Sequence, residues 1–311
     1  MVWDCIIVGG GIAGLQAAIQ LGRYAMHNVL VLDAGEGRSA ICRSYRNILG
    51  YPEGVSGSDL RATGTEQAAA YGVQFIRDKV MRAKALPSGS FLLHGRQDGS
   101  SYEARTLLLA TGVMDRFPDL PGLRECLGLT VYVCPDCDGF EAKDRRTLIL
   151  GAGDAGARMS MTLQIWTNKL LYINHGRSQG QVSAELLHSL HAGGIDYLEA
   201  VSERVAGTED GCFRGIVLED GRLIEAERAF LAFGGNEVRS ALAEQLGARL
   251  HENKHIWTDS RSKMTSVPKV WAAGDVAAHA EQVTIAMGEG AQAAIWIHKT
   301  LLELKRTSAC T

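Results

Sequence analysis

Cys5-Ile6-Ile7-Val8 is an apolar run that leads directly into Gly9-Gly10-Gly11-Ile12-Ala13-Gly14, a GxGxxG turn, and helical spacing follows as far as Leu21. In such a turn the first glycine lets the chain reverse, the second lets a pyrophosphate approach the backbone, and the third lets helix and strand pack closely. The next apolar run, residues 29–32, ends at Asp33, where a carboxylate can accept from ribose hydroxyls. Phosphate at a helix N-terminus is favoured by free N–H groups and by the helix dipole. The sequence therefore predicts a dinucleotide site that includes Gly9, Gly11, Ala13, Gly14 and Asp33.

The same order of elements recurs later in the chain. An apolar strand at 147–150 leads into Gly151-Ala152-Gly153-Asp154-Ala155-Gly156, and a helix through about Trp166 and a strand at 170–173 follow. Two βαβ units with parallel sheets are therefore predicted, which makes the fold class α/β with two Rossmann-like nucleotide-binding domains. Gly151, Gly153 and Gly156 are the candidate contacts of a second dinucleotide.

Two breaks in the sequence indicate how the domains are arranged. Residues 117–122 form a Pro/Gly-rich connector, and Gly234-Gly235-Asn236 is a second break. The C-terminal part carries another Gly-rich strand-to-helix turn without a nucleotide fingerprint of its own. We therefore predict one domain from residues 1–116 and 237–311, with a second domain, residues 117–236, inserted into it.

The composition is that of a globular enzyme of ordinary size. The chain has 311 residues, of which 46% are hydrophobic and 22% charged, and its net charge is −3. No basic stripe suggests a nucleic-acid partner, and no apolar run is long enough for a membrane span. The N-terminus lacks the pattern of a signal peptide, so a cytoplasmic location is expected. Seven cysteines with one close pair do not resemble a secreted disulfide framework.

Cys134-Pro135-Asp136-Cys137 is the candidate chemical centre. A spacing of two residues brings both sulfurs within bonding reach on one turn, so that a disulfide can open and close reversibly. A four-ligand zinc site would need a second pair, and none follows, so no metal site is predicted. Asp138 is a candidate for exchanging protons as dithiol and disulfide interconvert. The alternative is a turn residue before Gly139.

The segment Cys134-Pro135-Asp136-Cys137-Asp138-Gly139-Phe140 resembles the active site of the low-molecular-weight thioredoxin reductase family, and the runs 109–112 and 270–276 resemble it as well. The resemblance covers nearly the whole chain in the right order. It implies a thioredoxin reductase-like fold, one FAD in the domain of residues 1–116 and 237–311, and a homodimer. It also implies that Cys137 is the cysteine next to the flavin, that Cys134 attacks the disulfide of a partner, and that Asp138 handles protons.

The resemblance adds further residues to the expected FAD site. They are Asn47, Thr111, Gly112, Gly274, Asp275, which would bond the ribityl chain, and Gln282 and Val283, whose backbone would meet the pyrimidine edge of the flavin. The Gln282-Val283-Thr284 version of this last segment is similar to a side branch that contains gliotoxin-type dithiol oxidases.

The second glycine turn departs from the family pattern. An NADPH enzyme of this kind would carry His-Arg-Arg and a further Arg after the next strand, to grip the 2′-phosphate, and this chain has Asn174-His175-Gly176-Arg177. No carboxylate ends that strand to favour NAD. His175 is interpreted as a turn or surface histidine, and Trp166 as a core aromatic or a residue that stacks on a nucleotide. The occupant of this site, NADPH or a second FAD, is left open.

The leading hypothesis is an FAD-dependent dithiol/disulfide oxidoreductase that does not depend on NADPH. Its partner would be a dithiol or disulfide substrate, such as a thioredoxin-like protein. Three alternatives remain: an NADPH-dependent thioredoxin reductase with a diverged clamp, a diflavin-linked disulfide oxidoreductase in which a second FAD replaces NADPH, and a non-catalytic flavin redox sensor.

Overall fold

The computed structural model describes residues 1–175, 180–277 and 280–309. The chain separates into two compact units, and the chain passes between them more than once. The first unit comprises Met1–Ala40, Gly57–Met114 and Val238–Thr311, and the second comprises Ile41–Ser56 and Asp115–Glu237.

The first unit is built on a mixed sheet whose centre is parallel. Its path through the described residues runs, in spatial order, Gln74–Ile76, Val29–Leu32, Val2–Val8, Ser101–Leu109, Phe91–Gly95 and Val80–Ala85. The last two strands join antiparallel to their neighbours. Val270–Ala272 also pairs with Ser101–Leu109, in parallel, with Val270 opposite Leu107. The C-terminal part of the chain thus completes the sheet that the N-terminus begins.

Helices cover this sheet and bury an apolar core on each of its faces. They are Ile12–Gly22, Gly57–Ala70, Ala241–Gln245 and Val283–Ala309, and a further short helix, Arg38–Ile41, spans the change from this unit to the second. One core includes Ile6, Leu107 and Val270, and the other includes Ile7, Leu108 and Trp271, because successive strand residues point to opposite faces. Gly290 of the last helix packs so closely on Ala13 that a Cβ there would overlap the Ala13 carbonyl oxygen. The first and last helices are therefore locked together beside the glycine turn.

The second unit contains a parallel sheet and a small antiparallel one. The strands of the parallel sheet are, in spatial order, Asp196–Ala200, Leu170–His175, Thr147–Gly151, Arg228–Ala232 and Val131–Tyr132. The antiparallel strands are Ser202–Gly207, Phe213–Leu218 and Leu223–Glu225. The α-helices are Leu123–Cys126, Pro135–Asp138, Gly153–Leu163 and Ala184–Ala192, and a 3₁₀-helix spans Gly139–Ala142. Two short strands, Val113–Met114 and Glu237–Val238, lie at the ends of the inserted part of the chain.

The prediction of two Rossmann-like α/β units is confirmed. Both predicted strand–turn–helix–strand sequences form, although the second helix ends at Leu163 rather than near Trp166. The compact units change over between Met114 and Asp115 and between Glu237 and Val238. The assignment of residues 1–116 and 237–311 to one domain and of residues 117–236 to an inserted one stays a prediction. The sequence did not predict that Ile41–Ser56 belongs to the second unit.

Candidate active site

The first glycine turn has the geometry that a dinucleotide requires. Gly9 has φ +110°, and a Cβ there would overlap the Ala110 carbonyl oxygen, while a Cβ on Gly14 would overlap the Gly9 carbonyl oxygen. Gly11 differs, because no heavy atom of the described chain lies within 4 Å of the position that its Cβ would take. Gly9 and Gly14 thus serve the tight turn and the close packing, and Gly11 leaves the space that a pyrophosphate needs.

Asp33 lies directly beside this turn. Its Oδ1 accepts the Gly10 N–H at 3.0 Å, and its Oδ2 accepts from Nη2 of Arg61 at 2.7 Å. The strand Val29–Leu32 ends just before it and is paired in register with Val2–Val8. Because the two strands are parallel, their carboxyl ends meet at the same edge of the sheet. Asp33 therefore reaches the glycine turn, and its contact with a ribose stays a prediction.

The turn that carries Asp275 follows the strand Val270–Ala272. Gly274 has φ +76°, and a Cβ there would lie 2.8 Å from the Ala13 side chain, which accounts for two small residues at this contact. The Gly274 N–H donates to Oε2 of Glu289 at 3.0 Å, and Oε1 of Glu289 accepts from Nζ of Lys263 at 2.8 Å. The ion pair between Glu289 and Lys263, which is largely shielded from solvent, thus holds the turn at Gly274 in place.

The Asp275 carboxylate itself accepts from Nη1 of Arg38 at 3.1 Å. Arg38 also contacts Glu281, whose other oxygen lies 3.2 Å from Nε2 of His255. Arg38, Asp275, Glu281 and His255 form a continuous polar network between the segment after Asp33 and the segment before the last helix. No sequence pattern indicates Arg38, Glu289 or Lys263, because each meets its partner only through the tertiary fold.

The remaining candidates in the first unit lie on two loops. Thr111 donates its hydroxyl to the Arg239 carbonyl at 2.6 Å, and the Arg239 N–H donates to the Gly112 carbonyl at 3.1 Å. Gly112 has φ +69°. Gln282 precedes the helix Val283–Ala309, and its carbonyl accepts the Ala286 N–H at 2.9 Å. The helix therefore presents its N-terminus at this segment, where N–H groups favour an electron-rich partner.

Taken together, the first unit fits FAD. The glycine turn, Asp33, Ala13, Gly274 and Asp275 are linked by direct contacts, and Gly11 opens into space. Asn47 is a different case, because the structure places it in the second unit, exposed on the segment Ile41–Ser56. Its expected contact with FAD stays a prediction.

The cysteine pair forms a disulfide in the second unit, between Cys134 and Cys137, with the two Cα atoms 5.3 Å apart. Cys134 occupies the N-cap of the helix Pro135–Asp138, and its Sγ accepts the Cys137 N–H at 3.2 Å. Pro135 stands at the first helical position, where the absence of an N–H costs nothing. The short helix thus holds both sulfurs on one turn, as the spacing predicted.

Asp138 ends this helix, and its pKa is raised to about 7. Burial is the main cause, the negative charge of Glu141 adds to it, and Arg46 opposes it. Nε of Arg46 lies 3.5 Å from Oε1 of Glu141 and so partly neutralises that neighbour. A carboxyl group that titrates near neutral pH can both take up and release a proton under working conditions.

Gly139 and Trp166 fix the end of the active-site helix. A Cβ on Gly139 would lie 2.5 Å from the Trp166 ring, so the indole packs on the backbone itself. Trp166 is partly buried against the apolar cluster of this unit. The core interpretation of Trp166 is therefore correct, and the packing anchors the residue next to Asp138.

The second glycine turn is more crowded than the first. The Gly153 N–H donates to Oδ1 of Asn174 at 2.9 Å, and a Cβ on Gly153 would lie 3.3 Å from the Gln181 carbonyl oxygen. Asp154 accepts the Ser183 N–H at 2.7 Å, which holds the segment after Gly180 against the turn. Gly156 packs on the Tyr172 ring, where a Cβ would overlap it, and Gly151 packs on the Ala232 carbonyl.

The expected position of His175 is wrong. His175 is the last residue of the buried strand Leu170–His175 and is 9% exposed. Its Nδ1 accepts the Ser202 N–H at 3.0 Å, its ring meets Phe233 edge to face, and burial lowers its pKa. The strand continues two residues further than predicted, which draws His175 inside. Gly176 and Arg177 lie outside the described residues.

The described ranges contain no group of three or more His, Cys, Asp or Glu side chains arranged to hold a metal ion. Among the helices in those ranges, none combines the length and the apolar character needed to cross a membrane.

Comparison with known proteins gives one consistent result. Residues 3–290 match the family model described as pyridine nucleotide-disulphide oxidoreductase. A probable thioredoxin reductase of Arthroderma benhamiae is 31% identical, over 99% of this chain and 82% of that protein. The thioredoxin reductase of Aquifex aeolicus is 27% identical, over 98% and 95%. The crystal structure of HlmI superimposes with a TM-score of 0.86 at 29% identity, over 99% of this chain and 95% of that one.

The family match, residues 3–290, spans both glycine turns and the cysteine pair. This chain belongs to the pyridine nucleotide-disulphide oxidoreductases and is a thioredoxin reductase-like, FAD-dependent disulfide oxidoreductase.

Proposed function

We propose that this enzyme exchanges an electron pair between a dithiol or disulfide substrate and FAD through Cys134 and Cys137, without NADPH as the electron donor. The observation that carries the proposal is the contrast between the glycine turns. Gly11 opens into space, whereas Gly153 is bonded to Asn174 and covered by the Gly180–Gln181 backbone. The first turn therefore suits a dinucleotide pyrophosphate. At the second turn the Gly153 N–H already donates to Asn174, and the Gly180–Gln181 backbone takes up the space beside it.

The charge of the second turn points the same way. NADPH carries a 2′-phosphate with nearly two negative charges, and enzymes that bind it offer arginine or lysine. Here the strand that follows the turn and its helix, Leu170–His175, ends in Asn174 and His175, both buried. Oδ1 of Asn174 accepts from Tyr172 at 3.2 Å, and its Nδ2 donates to the Tyr197 hydroxyl at 3.2 Å. These side chains are engaged inside the domain.

In the direction of dithiol oxidation, the substrate thiolate attacks one sulfur of the Cys134–Cys137 disulfide. The resemblance assigns this position to Cys134. A mixed disulfide forms and Cys137 leaves as a thiolate, and the second substrate thiol then displaces Cys134. The substrate is oxidised to its disulfide, and the enzyme holds two reduced cysteines. When bound, FAD would supply the acceptor for this electron pair, and Cys134 and Cys137 would re-form their disulfide.

Asp138 serves these steps as the proton carrier of the chain. Each thiol that becomes a thiolate releases a proton, and each thiolate that becomes a thiol takes one up. A carboxyl with a pKa of about 7 can do both near neutral pH. FAD would be held by the glycine turn, Asp33, Thr111, Gly112, Asp275 and the N-terminus of the last helix, with Asn47 as a further contact.

The partner and the assembly belong to this proposal as well. Several relatives are named thioredoxin reductases, which supports a thioredoxin-like protein as one candidate partner. The Gln282-Val283-Thr284 segment favours a small dithiol as the other. The homodimer is expected from the resemblance. The crowding at Gly153 also disfavours a second FAD, and the disulfide beside a titratable Asp138 favours turnover over a sensor.

The test is anaerobic stopped-flow absorbance of the purified holoenzyme at the flavin band. We expect dithiothreitol, a small dithiol, to bleach the band through the cysteines, and NADPH and NADH to bleach it slowly or not at all. Complete reduction by micromolar NADPH within milliseconds would overturn the proposal and favour an NADPH-dependent thioredoxin reductase. The Cys134→Ser variant is the control, because it should abolish reduction by the dithiol.

A further inference from the structure

Arg61 occupies a position that the chemistry described so far does not use. It extends from the helix Gly57–Ala70, and its Nη2 lies 2.7 Å from Oδ2 of Asp33. Its Nη1 donates to the Glu36 carbonyl at 3.3 Å and to the Ser39 hydroxyl at 3.4 Å. The side chain is 14% exposed. One guanidinium thus ties a helix to three points of the segment that follows the strand Val29–Leu32.

Asp33 is held from both sides as a result. One carboxylate oxygen accepts from Gly10 in the glycine turn, and the other accepts from Arg61. The Arg61 guanidinium is itself held by the Glu36 carbonyl and the Ser39 hydroxyl. Its rigid planar fork therefore keeps the Asp33 carboxylate in one orientation.

We infer that Arg61 is a positioning residue that makes this protein select FAD over FMN, by holding Asp33 toward the adenosine ribose. The inference rests on the proposed contact between Asp33 and that ribose. FMN ends at its phosphate and has no adenosine, so its affinity does not depend on Asp33. The Arg61–Asp33 pair therefore contributes to the affinity for FAD and not to the affinity for FMN.

A second arginine–carboxylate pair in the same unit provides the contrast. Arg38 lies 3.1 Å from Asp275, which is the proposed partner of the ribityl chain. FAD and FMN share that chain. A change at Arg38 should therefore weaken both flavins, whereas a change at Arg61 should weaken FAD alone.

The test measures the affinity of the apoprotein for FAD and for FMN by titration of flavin fluorescence. The variants are Arg61→Gln, Asp33→Asn, the double variant and Arg38→Gln. The control is Arg82→Gln, an exposed arginine of the same unit. Arg61→Gln should weaken FAD about ten- to hundredfold, the effect of losing one charge-assisted contact, and leave FMN unchanged. The double variant should bind FAD no worse than Asp33→Asn, because Arg61 acts through Asp33.

Three results would overturn the inference. Equal loss of FAD and FMN in Arg61→Gln would show that the arginine only supports the fold. Additive losses in the double variant would show that Arg61 acts independently of Asp33. No loss of FAD in Arg61→Gln would show that the pair has no role in binding. If Asp33→Asn leaves FAD affinity unchanged, the proposed contact of Asp33 itself fails, which is a separate result. The Tm of each apoprotein, measured in parallel, identifies variants that are misfolded.

Discussion

Asn174 accepts the backbone N–H of Gly153 at 2.9 Å, and Gly153 is the second glycine of its turn. Beside the first turn, the residue that follows the equivalent strand is Asp33. It accepts the N–H of Gly10, the residue before the second glycine of that turn. This shift of one residue has a chemical consequence. The amide that a Rossmann turn would direct at a phosphate is satisfied by a side chain in the second unit.

From this relationship we predict one FAD for each chain and no second nucleotide. Denatured holoenzyme should release FAD in a 1:1 ratio to protein, because the surroundings of Gly153 are filled. Chromatography of the released material against a quantified protein sample measures the ratio. A ratio near two, or the release of NADP, would show that the segment near Gly180 moves aside to admit a dinucleotide.

The two cysteines should differ in their effect on the flavin spectrum. In Cys134→Ser, Cys137 keeps its sulfur as the proposed neighbour of the flavin, so a long-wavelength charge-transfer band is expected. In Cys137→Ser the band should be absent. Absorbance spectra of the two oxidised variants, recorded at the same pH, measure the difference. The reverse pattern would mean that Cys134 is the cysteine next to the flavin.

Asp138 should make both rate and stability depend on pH. Burial raises its pKa to about 7 in the folded protein, from an ordinary value of 3.8. The folded state therefore binds the proton more tightly than the unfolded state. The contribution of this protonated carboxyl to the free energy of unfolding is fully present below about pH 4. It is lost as the pH rises to about 7, and the loss is at most about 4 kcal/mol.

Asp138→Asn should remove this loss and also the step near pH 7 in the rate of dithiol oxidation. Denaturant unfolding of the disulfide form at several pH values, together with a pH–rate profile, measures both effects. Asp136→Asn, a change at the exposed neighbour, is the matched control and should behave like the wild type. An Asp138→Asn profile that keeps the step would assign the proton transfer to another group.

The parts of this protein that could be predicted from its sequence are those with local causes. Gly9, Gly11 and Gly14 are set by the sterics of one turn, and the spacing of Cys134 and Cys137 is set by one helical turn. These requirements appear within a few neighbouring residues.

The parts that could not be predicted depend on distant partners. Arg61 meets Asp33 across 28 positions, and Asn174 meets Gly153 across 21. His175 was misplaced because its burial depends on Ser202 and Phe233, which belong to other elements. No periodicity or spacing encodes such contacts, so the sequence indicated the nucleotide chemistry without the side chains that tune it.

Gly139→Ala should disturb the active-site helix. The new Cβ would lie 2.5 Å from the Trp166 ring, so the indole or the backbone after Asp138 must move. Overpacking of this kind typically costs about 1–3 kcal/mol. Trp166→Leu in the same chain should recover part of the loss, because a smaller side chain leaves room for the methyl group. Denaturant unfolding of the single and double variants measures the coupling, and purely additive effects would contradict the packing described here.

Glu289 and Lys263 should support both the fold and the turn that carries Asp275, and two variants can separate these effects. Their side chains are 8% and 14% exposed, and Glu289 also accepts the Gly274 N–H. Glu289→Ala leaves the Lys263 charge buried without its partner, which typically costs about 3–5 kcal/mol. The double change Lys263→Met with Glu289→Met removes both charges and should restore most of that stability. FAD should nevertheless bind more weakly to both variants, because Gly274 has lost its acceptor and Asp275 its support. Denaturant unfolding and FAD titration separate the two effects, and a double variant that regains full FAD affinity would show that the hydrogen bond to Gly274 does not position Asp275.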